Sequence, residues 1–148
     1  MNEHIKELEQ LIEQHVLESS AAQLLLTIPG VGQTTAAVVV AELGEIERFD
    51  SHEEVVSYAG LDPVVHQSGD TEIHGSISKE GPGAIRWALV QSAHVAVRCS
   101  EYFGNFCTRL KQRKNKQIAI VATARKMLVS MYYMLKRNEP YDPPGVSA

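Results

Sequence analysis

Residues 26–43 read L-T-I-P-G-V-G-Q-T-T-A-A-V-V-V-A-E-L, a pattern that predicts two helices joined by a sharp turn. A helix that ends near Thr27 meets Pro29, which lacks an N–H group and cannot continue it. Gly30 and Gly32 follow, and both can take a positive φ, so the chain can reverse within three residues. The two glycines therefore mark the turn that joins the two predicted helices.

The second helix of this pair is expected to begin at Gln33 or Thr34 and to contain small residues that let another helix pack closely. The backbone N–H groups of residues 30–34 would be unpaired at its N-terminus, where the helix dipole favours an anion such as phosphate. The segment resembles the hairpin of a helix-hairpin-helix module, which holds a nucleic-acid backbone without reading its sequence. The alternative is an ordinary helical turn with two glycines. The predicted backbone-binding residues are Gly30, Val31, Gly32 and Thr34.

Composition favours packed helices over a β-sandwich, since hydrophobic residues make up 44% of the chain and aromatic residues only 6%. Cys99 and Cys107 form no disulfide framework or zinc motif, which indicates reduced thiols in a cytoplasmic protein. The charged N-terminus is not a signal peptide, and the longest apolar run, residues 127–135, is too short to cross a bilayer. We therefore expect an all-α, cytoplasmic protein of five or six helices with no membrane partner.

Charge is divided unevenly along the chain. Residues 1–78 contain two Lys or Arg and fourteen acids, whereas residues 79–137 contain twelve Lys or Arg and two acids. The split predicts a basic face for a polyanion, although the net charge is −4. The alternative is that the two halves neutralise each other across an internal interface. A predicted phosphate track, for which a solvated charge run is the alternative, comprises Arg109, Lys111, Arg113, Lys114 and Lys116.

Apolar spacing and turn residues divide the chain into segments. Residues 2–18 form an amphipathic helix, expected to act as a linker or a dimerising helix. Residues 19–137 form the main domain, with the helix-hairpin-helix at 20–44 and an irregular loop at 61–80 that is our candidate for the chemistry. Residues 138–148 are expected to be a flexible tail. Further helices are predicted over residues 52–58, 83–98, 101–114 and 116–137.

Several helix ends carry recognisable capping residues. Ser51 and Glu54 form a capping box before the helix at 52–58, and Gly60 stops that helix. Gly44 is placed to cap the second hairpin helix. Asn115 is expected to interrupt the helical structure between the last two helices.

The motifs also follow a recognisable order. The P-G-V-G hairpin precedes Y-A-G-L-D-P, then H-Q-S-G, then G-S-I-S-K-E-G-P-G-A-I-R-W-A-L, then basic helices. This order resembles the C-terminal domain of the insertion sequence 110 / 116 / 902 family of transposases, over roughly residues 20–137. The resemblance implies a domain that carries a nucleophilic serine for DNA strand exchange through a phosphoserine link. It also implies a RuvC-like domain with four metal-binding acids and, in related members, a structured guide RNA.

Carried onto this sequence, the resemblance places the nucleophile at Ser68, in H-Q-S-G-D. The I-S-K-x-G-x-x-x-I-R motif falls on residues 77–86, where Lys79 and Arg86 would stabilise the charge that grows on the phosphate. A turn before a glycine suits a serine that must be exposed to attack a phosphodiester. Ser78 is the rival nucleophile, but its position fits a helix cap better.

Other side chains near Ser68 have alternative interpretations. His66 and His74 can act as bases or bind DNA, but solvent-exposed loop histidines are the more ordinary interpretation. Asp70 departs from the small or basic residue that tends to follow the Ser-Gly pair in the family, which weakens the expected hold on DNA. Trp87 is expected in the core, with stacking on a base as the alternative.

No D…E…D…D set precedes the hairpin, so we expect no metal site in this chain and a divalent metal such as Mg²⁺ in a RuvC-like domain outside it. The chain alone is then expected to be inactive, and DNA, a guide RNA and a second copy are its expected partners. Two other classes remain open. One is a non-catalytic helix-hairpin-helix module that binds nucleic acid or protein. The other is a helical oligomerisation segment held by residues 2–27.

Overall fold

A computed structural model describes residues 2–62 and 83–143 of the chain. In these two ranges it contains α-helices and one 3-10 turn, Ile46–Arg48, and no strand, which confirms the all-α prediction. The helices number seven rather than five or six because α2 restarts after α1 as a separate element. They are α1 (Asn2–Glu18), α2 (Ser20–Leu25), α3 (Gln33–Leu43), α4 (His52–Tyr58), α5 (Gly83–Cys99), α6 (Glu101–Lys111) and α7 (Lys116–Arg137).

Helix starts are set by side-chain caps. The Ser19 hydroxyl accepts a hydrogen bond from the Ala22 N–H at 3.0 Å, which separates α2 from α1. The Ser51 hydroxyl accepts from the Glu54 N–H at 3.3 Å, as the capping box predicts. The Glu54 carboxylate accepts from the Asp50 N–H at 2.9 Å, one residue earlier than in the usual box. These bonds satisfy N–H groups that a helix cannot pair internally.

Glycines end α3 and α4 as predicted. Gly44 has φ +65° and its N–H donates to the Val40 carbonyl at the end of α3. Gly60 has φ +73°, and its N–H donates to the Ser57 carbonyl at 3.0 Å. The Leu61 N–H reaches back to a carbonyl of α4 in the same way, which completes a Schellman motif.

The last two helices meet at a tight turn. Helix α6 ends at Lys111, three residues before the predicted end, where the N–H groups of Gln112 and Arg113 donate to the carbonyls of Arg109 and Leu110, three residues back. The Asn115 side chain then accepts from the Ile118 N–H at 2.8 Å and caps α7. The chain is thus redirected within four residues.

The core lies where α5 and α7 pack together. The α7 residues Val121, Ala124, Leu128 and Met131 recur at three- and four-residue spacing and are buried, and Leu135, the next in this series, is partly buried. By length and composition α7 would be able to cross a membrane. Eleven of its 22 residues are nevertheless buried among the other helices, so it is the central core helix of this fold.

Helix α1 leaves most of its apolar stripe uncovered. Val16, near its C-terminus, is buried, whereas Ile5, Leu8 and Leu11 are 54%, 59% and 62% exposed. The part of the chain that the structure describes therefore provides a partner for only the last turns of α1.

Candidate nucleic-acid interface

The predicted hairpin forms the turn between α2 and α3. Gly30 has φ +97°, as expected, but Gly32 has φ −100° and ψ −175°, so the expectation of a second positive φ was wrong. A Cβ atom on Gly30 would lie 2.7 Å from the backbone nitrogen of Ala96 and 2.8 Å from its Cα. Gly30 is therefore needed for close packing of the turn against α5.

The amides of the turn are only partly available to a ligand. The Val31 N–H donates to the Ile28 carbonyl at 3.1 Å and its side chain is buried, so the prediction that this amide is unpaired was wrong. Gly32, by contrast, faces open space, and Thr34 is exposed. Gly32 provides no side-chain cap for α3, so the first amides of α3 remain open to an anion.

The cationic cluster at the junction of α6 and α7 is exposed at every position. We call it the basic turn, and it consists of Arg109, Lys111, Arg113, Lys114 and Lys116. Its first members lie at the C-terminus of α6, where the helix dipole favours cations. Lys116 instead begins α7, whose first turn contains no acidic residue. Positive side-chain charge and the positive end of a helix dipole therefore coincide there, an arrangement that a bound anion stabilises.

Ion pairing does not neutralise this surface. Within residues 2–62 and 83–143, the one contact shorter than 4.0 Å between a basic and an acidic side chain joins the imidazole of His52 to Glu53, at 3.3 Å. The alternative in which the acidic and basic halves neutralise each other through ion pairs is thus not found in these ranges. The cations of the basic turn remain available to a polyanion.

Arg86 lies in the first turns of α5 and is half-buried. Its Nη1 atom is buried and has no hydrogen-bond partner among the described residues. A buried guanidinium N–H without a partner is costly, and a carboxylate or phosphate oxygen is the acceptor that it prefers. Gly83 lies beside the guanidinium, 3.9 Å from Nη2 to the position a Cβ would take. The geometry of Arg86 is therefore compatible with its predicted contact to a phosphate.

Most of the predicted active-site loop lies outside the described residues. This applies to Ser68 and Lys79, to the rival Ser78, and to the flanking His66 and His74. Their roles remain predictions. Of the three predicted catalytic residues, Arg86 alone belongs to a described segment.

Arg125 anchors the start of this loop, a role that the sequence did not suggest. Its Nε donates to the Leu61 carbonyl at 2.9 Å. Burial lowers the pKa of Arg125 from its ordinary value, and the nearby Asp62 carboxylate partly offsets that effect. Because Arg125 and Leu61 are 64 residues apart, no local pattern signals the contact.

Trp87 is not in the core, so that expectation was wrong. It is 61% exposed because Ile85, Ala88 and Leu89 occupy the buried positions of this part of α5. The exposed indole lies next to Arg86 in sequence and is free to stack on a planar group. The alternative interpretation of Trp87, stacking on a base, therefore remains open.

The hairpin and Arg86 are not gathered at one point. Gly30 packs on Ala96, ten residues along α5 from Arg86, which corresponds to about 15 Å along a helix axis. The basic turn lies on other helices, at the junction of α6 and α7. In the described segments, moreover, no group of three or more His, Cys, Asp or Glu side chains is arranged to hold a metal ion.

The fold and these surfaces define an all-helical domain with an exposed basic turn that forms no ion pair with the described residues. The profile of the Transposase IS116/IS110/IS902 family matches residues 22–108, more than half of the chain. The chain belongs to this transposase family. The matched region includes the hairpin, the predicted loop and Arg86, and it ends just before the basic turn.

Curated relatives agree with this assignment. The chain is 39% identical over 126 residues to the pilin gene-inverting protein of Moraxella bovis, covering 82% of this chain and 38% of that protein. It is 30% identical over 143 residues to a probable family 20 transposase of Pseudomonas aeruginosa, covering 94% and 42%. It is also 35% identical over 100 residues to the transposase for an insertion sequence element of Yersinia enterocolitica, covering 68% and 30%. The chain therefore spans less than half the length of these relatives.

Proposed function

We propose that this chain is the DNA-binding and catalytic-serine domain of an insertion-sequence transposase, acting in DNA transposition and recombination. The observation that carries the nucleic-acid part is the basic turn, where five exposed cations lie within eight residues and no described carboxylate pairs with them. Family membership supports the more specific assignment to DNA rearrangement. Relatives named for gene inversion and for transposition fit the same reaction class.

Binding would be dominated by the phosphate backbone. Each phosphate that a Lys or Arg neutralises releases counterions, which makes the affinity fall steeply with salt. Such contacts position a protein on a duplex without reading its sequence. The open amides of α3 would add a second, smaller backbone contact, while Gly30 serves to pack the turn in place.

In the proposed reaction, the Ser68 hydroxyl oxygen attacks a DNA phosphorus atom. A phosphoserine bond forms and the phosphodiester bond to the leaving strand breaks. The oxygen of the leaving strand takes up a proton, so the released strand ends in a hydroxyl group. Lys79 and Arg86 would stabilise the charge that develops on the phosphate oxygens. The unpartnered Nη1 of Arg86 supports its part in this proposal.

A divalent metal such as Mg²⁺ belongs, in this proposal, to a RuvC-like domain outside the chain. The described residues offer no set of three ligands for it, so no step of the proposed reaction is assigned to a metal in this chain. A structured guide RNA and a second copy of the chain are further proposed partners. The exposed apolar stripe of α1 supports the second copy. The cytoplasm is the proposed location, because the DNA substrate is there.

One observation favours a second candidate, a nucleic-acid-binding module without catalysis. The hairpin packs about 15 Å along α5 from Arg86, so backbone binding there does not require a reacting phosphate at Arg86. In that case Ser68→Ala would change nothing.

The deciding experiment compares Ser68→Ala with wild type in a transposase that includes the RuvC-like domain. We expect Ser68→Ala to abolish recombination and leave DNA binding unchanged, because it removes only a hydroxyl. Ser78→Ala is the matched control and is expected to recombine normally. Full recombination by Ser68→Ala would eliminate the catalytic proposal and leave the binding module.

A further inference from the structure

A groove of about 320 Å³ lies between α6, α7 and the chain that follows α7. Tyr102 of α6 forms one wall, and Lys126, Tyr133 and Arg137 of α7 line the rest with residues 139–143. Lys126 is ten residues along α7 from Lys116, about 15 Å along the axis, so the groove is separate from the basic turn. Among the described residues that line the groove, none belongs to the hairpin.

The walls combine aromatic rings with cations. The Lys126 ammonium lies 5.4 Å from the ring centroid of Tyr102 and 4.7 Å from that of Phe106. The Arg137 guanidinium lies 4.9 Å from the ring centroid of Tyr133. Neither cation forms an ion pair with a carboxylate of the described residues. Each of these cations therefore lies over the face of an aromatic ring, and its outer side remains toward the groove.

The groove is held in shape by contacts with other elements. The Tyr133 hydroxyl lies 2.9 Å from Nδ1 of His52 on α4. On the opposite side, the Tyr141 N–H donates to the Thr27 hydroxyl at 2.8 Å, and the Tyr141 ring stacks on Phe103 with centroids 5.9 Å apart. A wall fixed in this way loses little conformational freedom when a ligand binds.

We propose that this groove receives one unpaired base of a bound nucleic acid, a step that rests on the proposed function. The planar Arg137 guanidinium, already stacked on Tyr133, offers its outer face to an unpaired base, and the groove cations also attract the phosphate of the same nucleotide. The carboxylates of Glu139 and Asp142, which also line the groove, can accept the amino and ring N–H groups of a base. A regular duplex keeps its bases stacked inside, so it contacts the basic turn but leaves the groove empty.

The test uses the whole 148-residue chain and two DNA duplexes of equal charge. One carries a single bulged base and the other an abasic residue at the same point, so that only the base differs. Fluorescence anisotropy measures both dissociation constants. Wild type is expected to bind the bulged base about 10-fold more tightly than the abasic duplex, the scale of one stacking contact.

Arg137→Gln is expected to reduce this preference to less than about 2-fold. Lys136→Gln removes the same charge from the next residue, which is exposed and does not line the groove, and should keep the preference. The base site would be overturned if wild type bound both duplexes equally, or if Arg137→Gln and Lys136→Gln lost the preference to the same extent. In either case, binding of wild type to the duplexes would still uphold the proposed function. Failure of wild type to bind either duplex would overturn both.

Discussion

The hairpin before α3 and the basic turn before α7 were both predicted to hold a nucleic-acid backbone, yet they differ physically. The hairpin is pressed against α5, with Gly30 in contact with the Ala96 backbone and Val31 in the core. The basic turn touches no described carboxylate, and all five of its cations are exposed. Gly30 in the first region satisfies packing, whereas the cations of the second form no ion pair with the described residues. A motif that resembles a binding element can thus be explained largely by the fold itself, and unpaired charge is the stronger indication of a partner.

The largest expected effect separates packing from binding at the hairpin. Gly30→Val places a branched side chain at φ +97° and against the backbone of α5, so we expect a loss of about 3 kcal/mol or more in the free energy of unfolding. Gly32→Val is the matched control, because nothing lies within 4 Å of its Cβ position, and it should cost less than about 1 kcal/mol. Urea unfolding measures both. A Gly30→Val variant that is as stable as wild type but has lost DNA binding would show that the hairpin serves binding rather than packing.

The second effect concerns the other side of the comparison. A triple variant, Arg113→Gln with Lys114→Gln and Lys116→Gln, removes three exposed cations and should weaken binding to duplex DNA on the order of 100-fold at 0.1 M salt. The free energy of unfolding should change little, because these side chains make no ion pair with the described residues.

Lys6→Gln provides the control for the triple variant, since it removes one exposed cation from the acidic half of the chain. Its affinity should equal that of wild type in a titration followed by anisotropy. Equal weakening per charge in Lys6→Gln and the triple variant would mean that net charge, rather than the basic turn, governs binding.

A smaller effect is expected at the anchor of the predicted loop. Arg125→Met leaves the Leu61 carbonyl without its donor, and we expect a loss of about 1–2 kcal/mol in the free energy of unfolding. Arg125→Lys keeps the charge and should recover part of this loss. Thermal unfolding of the three proteins checks the order. If Arg125→Met were as stable as wild type, the contact between Arg125 and the start of the predicted loop would not contribute to stability.

The smallest effect tests the segment after α7. The Tyr141 hydroxyl is buried and makes no hydrogen bond of good geometry in the described residues, although the nearby Ser100 side chain partly offsets the effect of burial on its pKa. Tyr141→Phe should therefore change stability by less than about 0.5 kcal/mol at pH 7. Burial raises the pKa of Tyr141 above its ordinary 10.0. The folded state then holds the proton more tightly than the unfolded state, so stability is present in full below pH 10 and falls above it. Tyr141→Phe should show a weaker fall, measured by denaturant unfolding between pH 9 and pH 11.

Helix positions were predictable because their determinants are local. The apolar spacing of α7, the Ser51 and Asn115 caps and the glycines at 44 and 60 all act within a few residues, and the structure confirms them. The family could also be predicted from the order of the motifs.

Features that depend on distant contacts were not predictable. The packing of Gly30 depends on α5, and the exposure of Trp87 depends on which face of α5 meets the core. The groove is formed by residues of α6, α7 and the segment after α7, so no single stretch of sequence predicts it. The role of Ser68 rests on the family resemblance and stays a prediction.

The central claim is that the basic turn contacts a DNA backbone, and the salt dependence of duplex binding tests it most directly. The logarithm of the DNA association constant is plotted against the logarithm of the salt concentration for wild type and the triple variant. The difference between the two slopes gives the number of phosphates that the three side chains neutralise. The account predicts that the slope of the triple variant is shallower by about 2.7, or about 0.9 for each lost contact. Identical slopes for the two proteins would contradict it.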